Sequence, residues 1–415
     1  RKTCLDLRKL RCRRARDQQS VKQASPRSAY FEMRLNVAYK GQRVGQILDT
    51  GGTHYFEYDV LFIRHPLPLS PLSLPVERGV TEHSDAKFAG LPGLIYDSLP
   101  DGFGMSVIRQ HFREKGMPLP SPLQILSYLG ERTMGALTYS PPNGDTIQEA
   151  AIDLVNAAVS ARKLVEHEHG PRLDPALIQA GGTAGGMQPK ILAAIDRTGN
   201  IITGASTIPE ACSPWIIKLN TEGCSENAYA PLEHAYFQMA RDCGIQVPAT
   251  RLLTDSAGVR HFAIRRFDRG TDHPNERIHT HTYAAVAGVD YQALTGSYDH
   301  LFETTMDLTR NIVCLREQVL RAIFNVLAHN CDDHAKNFSF QMSDRGEWEL
   351  SPAYDLSMAE NQTKGNWLSI NGKRSSITAD DFHSVVAHLG LSRIEVDEMF
   401  QTVSAVTARW PEYAK

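Results

Sequence analysis

The 415-residue chain is 42% hydrophobic and 22% charged, ordinary values for a globular protein of two or three domains. No window approaches the ~18 uncharged apolar residues of a membrane-spanning helix, and no apolar signal segment precedes the fold, so a soluble, cytoplasmic protein without a membrane partner is expected. Seven cysteines, an odd number with no Cys-x-x-Cys, argue against a disulfide framework or a zinc knuckle.

The net charge of −3 is unevenly spread: residues 1–28 carry +8, which leaves −11 for the remainder. Such an arm, placed at 1–29, reads as a solvated tail or the remnant of an upstream module, with nucleic-acid contact as the other reading. The acidic body gives no support to a global nucleic-acid role.

In chain order, Tyr30–Tyr39, Arg43–Leu48 and Tyr55–Phe62 read as strands, the first two joined by a turn at Lys40-Gly41. A Pro-rich connector, Pro66–Pro75, follows. Residues 87–129 read as helical, and Met134–Tyr139 as a closing strand. Pro141-Pro142-Asn143-Gly144 is a breaker that places a domain boundary near 142. Residues 147–166 have helical period, then Gly181-Gly182-Thr183-Ala184-Gly185-Gly186-Met187-Gln188-Pro189-Lys190 leads into a buried-type strand, Ile191–Ile195. Pro214–Leu219 and Val259–Phe267 read as strands, and Leu232–Cys243 as a helix. Ile312, Leu315, Val319, Ile323 and Val326 keep helical spacing. Helices near 379–389 and 393–409 close the chain, with Thr378 and Asp381 placed to cap the former.

The chemistry concentrates at the end of the 312–326 helix. Asn330-Cys331-Asp332-Asp333-His334-Ala335-Lys336-Asn337 precedes Ser351-Pro352-Ala353-Tyr354-Asp355. An Asp, four residues, an Asn and a later Asp is the catalytic-loop and metal spacing of protein kinases. Asp332 then falls on the base, and Asn337 and Asp355 on the ligands of an Mg²⁺ shared with ATP phosphates. A metal-hydrolase site using Asp332, Asp333, His334 and His329 is the sharper rival, although no H-e-x-x-H accompanies it. The glycines of 181–189 could present backbone N–H groups to phosphates or form a flexible surface loop; the segment is neither a Walker A loop nor G-x-G-x-x-G. Lys218 sits inside an apolar strand, where an ammonium needs a partner such as Glu233 or an edge facing water. Lys190 competes for the same role. Arg266-Phe267-Asp268-Arg269 reads as a charged surface turn or as a lobe connector whose Asp268 reaches a ribose hydroxyl. His279 and His281 form an H-x-H assigned to a polar turn.

Taken together, residues 30–410 resemble the HipA family of toxin-antitoxin serine/threonine kinases. The N-terminal part of the likeness rests on Gly41-Gln42-Arg43-Val44-Gly45, Pro71-Leu72-Ser73-Leu74-Pro75, Leu99-Pro100-Asp101 and Gly135-Ala136-Leu137. The rest lies in Gly186–Lys190, Ile216–Leu219, Arg266–Arg269, Asp332–Phe338 and Ser351–Asp355. The resemblance implies an α+β fold: a small β-rich domain (30–142) packed on a two-lobed kinase-like core, with an N-lobe at 143–270 and a mostly helical C-lobe at 271–415. It implies ATP and Mg²⁺ as cofactors, with Gly185, Gly186, Gln188, Lys218, Phe267, Asp268, His334 and Lys336 at the nucleotide. It further implies a protein substrate, aminoacyl-tRNA synthetases being known family targets, and a HipB-type helix-turn-helix antitoxin through which operator DNA is contacted. Thr183 matches a serine that is autophosphorylated in the best-known members. A catalytically silent co-repressor and a small-molecule kinase are the alternatives.

Overall fold

The computed structural model describes residues 32–143, 150–166, 172–181, 185–203, 207–222, 229–359 and 365–415. The basic arm and Thr183 lie outside the described residues. Leu35, Val37 and Tyr39 alternate inward on β1 (Met33–Tyr39), which turns back as β2 (Gln42–Asp49) through Lys40 and Gly41, both at positive φ. Gly45 of β2 has no room for a side chain, because a Cβ there would lie 2.4 Å from the Glu57 carbonyl oxygen. β3 (His54–Tyr58) is shorter than expected. Asp59 ends it by capping α1 (Val60–Arg64), its carboxylate accepting from the Leu61 N–H (2.8 Å). β4 (Val80–His83) and β5 (Leu137–Ser140) complete a sheet ordered β4-β3-β2-β1-β5. The helical stretch divides at its prolines into α2 (Gly93–Tyr96), α3 (Gly102–Glu114) and α4 (Pro122–Leu129), the last opened by a Ser121–Gln124 capping box.

The second sheet is wholly antiparallel, in the order β10-β11-β9-β7-β8-β6, from β6 (Ala150–Ala151), β7 (Lys190–Asp196), β8 (Ile201–Thr203), β9 (Cys212–Lys218), β10 (Thr250–Thr254) and β11 (Arg260–Arg265). Of the helix expected over 147–166, residues 150–151 are strand, and α5 begins at Leu154 (Leu154–Glu166). On β9, Trp215 and Ile217 pack with α5 and α6 (Pro175–Gly181), while Ile216 packs on the other side with α7 (Tyr229–Asp242). That period of two sends Lys218 to the α7 side, and the register sets Lys190 directly opposite it. The boundary expected at 142 is bridged by α3: Phe103 and Val107 join the N-lobe core, and Ile108 and Phe112 join the larger core beneath the first sheet.

The C-lobe holds α8 (Tyr283–Val286), α9 (Tyr298–Thr309), α10 (Ile312–Leu327), α11 (Ala379–Val386), α12 (Arg393–Thr407) and α13 (Trp410–Tyr413), with a small sheet of β12 (His279–Thr282), β13 (Ser339–Met342) and β14 (Trp348–Leu350). Asp381 accepts from the Thr378 N–H (2.9 Å) at the start of α11, as its spacing predicts. No described helix is long and apolar enough to cross a membrane.

His279 and His281 are not in a polar turn. Both are buried on β12, where partners from the N-terminal domain satisfy them. His279 Nε2 donates to the Leu69 carbonyl (2.8 Å). The Asp97 carboxylate, 2.6 Å from His281 Nδ1, fixes the proton on that nitrogen, so Nε2 accepts from Ser70 Oγ (2.9 Å). The order Ser–His–Asp is that of a hydrolytic triad. Ser70, however, is 1% exposed and its hydroxyl also meets Ser73 Oγ (2.7 Å), so the chain of bonds fastens domain to lobe.

Candidate active site

Lys218 donates to Glu233 Oε1 on α7 (2.6 Å) and to Asp355 Oδ1 (2.5 Å). Burial opposes its charge, but Asp355 and Glu233 outweigh burial and raise the ammonium above its ordinary value. In return Lys218 holds the Asp355 carboxyl well below the usual range, whereas burial pushes Glu233 up. Lys190 takes a different post: its Nζ donates to the Gly185 carbonyl (2.7 Å), and burial followed by repulsion from Lys218 lowers its pKa. The two lysines therefore differ in partners: Lys218 lies between two carboxylates, and Lys190 bonds a backbone carbonyl. Asp355 has φ of 55°, a sparsely populated conformation of the kind that clusters at functional sites.

The Asn330–Asn337 run begins where α10 ends, after His329 at positive φ. Asp332 is exposed, and its carboxylate makes no hydrogen bond among the described residues. Desolvation by the surrounding protein raises its pKa, with Asp355 adding to the rise and His334 opposing it. Asn337 Nδ2 donates to the Asp332 carbonyl (2.8 Å), which ties the two ends of the run together. Asp333 points the other way. It is 1% exposed and accepts from Tyr298 Oη, Asn366 Nδ2 (2.9 Å) and the Trp367 N–H. Tyr298 in turn accepts from Asn325 Nδ2 (3.0 Å). Adjacent aspartates therefore differ: Asp333 anchors the loop and Asp332 is exposed.

Asp333 yields a pH-dependent prediction. Burial pushes its carboxyl up to about 6 from 3.8, so the folded state takes up this proton more readily than the unfolded chain. Its contribution to stability is present at low pH and is lost as pH rises through about 6. Urea unfolding of the wild type and Asp333→Asn between pH 4 and 7 is expected to show a steeper loss with rising pH in the wild type than in the variant. The variant should also lose about 1–3 kcal/mol, since an amide cannot accept from three donors as the carboxylate does.

Among the described residues no group of three or more His, Cys, Asp or Glu could hold a metal ion, so the structure does not gather Asp332, Asp333, His334 and His329 into such a group. Mg²⁺ asks for fewer protein groups, since it takes one or two protein oxygens and fills its shell with phosphates and water.

One expectation at the nucleotide needs correction. Asp268 cannot reach a ribose: it is 1% exposed and accepts from Arg266 Nε (2.9 Å) and Nη2 (2.7 Å), Arg269 Nη1 (2.7 Å) and the Gly135 N–H (2.8 Å). Its neighbour Phe267 stays half-buried, with its ring 5.3 Å from that of Tyr354 and its carbonyl accepting from Gln341 Nε2 (2.7 Å). Lys336 also has partners at the domain junction. Its ammonium bonds Asp101 Oδ2 (2.6 Å) and lies over the rings of Tyr96 and Tyr291. His334 packs edge-on to Tyr291 and Trp367, its Nδ1 buried without a partner among the described residues.

Of the described part of the glycine-rich segment, Gly185 and Gln188 are exposed and Met187 is 81% exposed. Gly186, at φ 94°, donates its N–H to Asp101. Asp101, Tyr96 and Tyr291 escaped the sequence reading as site residues. Their only signal was Leu99-Pro100-Asp101, which carries no chemistry until the fold brings it to the cleft.

Comparison with known proteins bears on this architecture. Residues 35–140 match the HipA N-terminal domain, and residues 182–410 the HipA-like C-terminal domain. Two Sinorhizobium fredii proteins are similar in sequence. Putative kinase Y4dM is 28% identical over 346 residues, covering 77% of this chain and 76% of that protein. Putative kinase Y4mE is 27% identical over 350 residues, covering 78% and 76%. HipA of Shewanella oneidensis MR-1, solved with HipB and operator DNA, superposes with a TM-score of 0.66 at 18% identity over 91% of each chain. With one family model spanning more than half of its length and a second matching its N-terminal domain, this chain belongs to the HipA family.

Proposed function

We propose that the chain is an ATP- and Mg²⁺-dependent serine/threonine protein kinase that acts as the toxin of a HipA/HipB-like pair. The observation that carries this reading is the Glu233–Lys218–Asp355 bridge facing an exposed Asp332 whose loop is pinned by Asn337. Phosphoryl transfer needs little covalent chemistry from the protein; it needs charge and position. Lys218 stays cationic and can meet phosphate oxygens. Asp332 can accept the proton of an acceptor hydroxyl, and its raised pKa strengthens it as a base. Mg²⁺ held by Asp355 and Asn337 would neutralise charge on the transferring phosphate. A silent binding protein would have no use for this full set. The names of the Sinorhizobium relatives support kinase chemistry, and the Shewanella complex supports a HipB-like partner that carries the DNA contact.

The test is metal-linked. Asp355→Asn is expected to weaken binding of a fluorescent ATP analogue by about tenfold or more in Mg²⁺ and to change it little in EDTA, because the lost group acts through the cation. Equal loss in both buffers would contradict the metal role of Asp355.

A further inference from the structure

The N-terminal domain reaches the cleft through the first turn of α3. Asp101 is the N-cap of that helix, yet its carboxylate makes no capping bond to its own backbone. It is turned outward instead. One oxygen accepts from the Gly186 N–H and the other from Lys336 Nζ (2.6 Å). The next helical N–H, that of Phe103, donates to the Gly186 carbonyl (3.0 Å). A single residue of the glycine-rich loop, Gly186, is therefore held at both its N–H and its C=O by one helix end. The approach is too close for side chains: a Cβ on Gly102 would lie 2.4 Å from the Gly186 oxygen, and one on Gly185 2.8 Å from Asp101. Phe103 and Val107 root α3 in the N-lobe core, while Ile108 and Phe112 root it in the larger one. The rings of Tyr96 and Tyr291 flank the Lys336 ammonium, so the lysine is bracketed from both sides of the domain junction.

We propose that Asp101 is a positioning residue for phosphoryl transfer, by which the N-terminal domain fixes the glycine-rich loop relative to the catalytic loop. The idea rests on the kinase reading and deepens it. Asp101 has both carboxylate oxygens engaged by the protein itself. It sets the distance between Gly186, at the loop that would cover phosphates, and Lys336, four residues after Asp332. A carboxylate serves where a neutral cap would not, since it bonds the ammonium and the peptide N–H at once. Burial alone would raise its pKa, but Lys336 outweighs burial and keeps it ionised.

Asp101→Asn, Asp101→Ala, Lys336→Met and the Asp101→Ala/Lys336→Met double variant test this in the full chain. Measured would be kcat and KM for ATP, thermal unfolding, and amide exchange over 185–190. The expectation is a kcat loss of at least about tenfold in Asp101→Ala, with KM for ATP within about threefold and faster loop exchange. Isosteric Asp101→Asn should lie between Ala and wild type. The double variant should be little worse than either single, because the two residues act as one unit. Unchanged kcat, a change in KM alone, or additive losses would overturn the proposal. A wild type that transfers no phosphate would remove the kinase reading by itself. The exchange data would then decide: loop exchange equal in wild type and Asp101→Asn overturns the positioning role, and faster exchange in the variant upholds it.

Discussion

Asp332→Asn is expected to lower phosphoryl transfer at least about 10²-fold, the scale of a lost general base, with the fold and nucleotide affinity intact. The split follows from where its side chain lies. Asp332 is exposed and its carboxylate has no hydrogen-bond partner among the described residues, so folding does not depend on it. The tie from Asn337 runs to its backbone carbonyl, which the substitution preserves. Asp333, one residue on, is the reverse case: buried, accepting three hydrogen bonds, and tied to α9 through Tyr298. Turnover, unfolding midpoint and affinity for a fluorescent ATP analogue measured on both variants separate the roles. An active Asp332→Asn would show that another group is the base.

Asp268→Ala should be the most destabilising change at the domain junction, costing about 3–5 kcal/mol, the range for removing one partner of a buried charge network. Asp268 bonds Arg266 and Arg269, while Arg269 and Arg277 reach the Gly135 and Thr133 carbonyls of the N-terminal domain. Without the carboxylate, burial leaves neighbouring guanidinium groups uncompensated. Burial already pushes Arg269 down to about 9 and Arg277 to about 10. Burial by itself would raise Asp268, but Arg266 and Arg269 dominate and hold it far below 3.8. With the folded pKa depressed, the stabilisation is present above the unfolded value near 3.8 and is lost only as pH falls toward the folded one. Urea unfolding at pH 7 checks the magnitude. A loss under about 1 kcal/mol, the level of surface ion pairs, would contradict the anchoring role.

The sequence made the local chemistry legible and the long-range contacts illegible. The Asp332–Asn337–Asp355 spacing sits on one short stretch, so pattern alone identifies it. Lys218 was readable because an ammonium in an apolar strand demands a partner, and Glu233 lay on the next helix. Asp268 misled because a run of Arg, Phe, Asp and Arg looks like a solvated turn. Its charge is met by Arg266 and Arg269 beside it, but what buries it includes Gly135, whose N–H reaches it from 133 residues away. His279 and His281 misled for the same reason: β12 reads as polar until Leu69, Ser70 and Asp97 cover it. Asp101 and Lys336 are 235 residues apart, and no periodicity joins them. The early end of β3 could have been read, since Asp59 is a good helix N-cap, but the aromatic alternation before it suggested a longer strand.

The central claim is that this cleft transfers the γ-phosphate of ATP to a serine or threonine. The most direct measurement incubates the purified chain with γ-³²P-ATP and Mg²⁺, alone and with cell extract, and identifies the labelled amino acid. The account predicts label on serine or threonine of the chain itself or of a protein in the extract, abolished in Asp332→Asn. Label on no protein in either sample, from a folded chain that binds ATP, would contradict it.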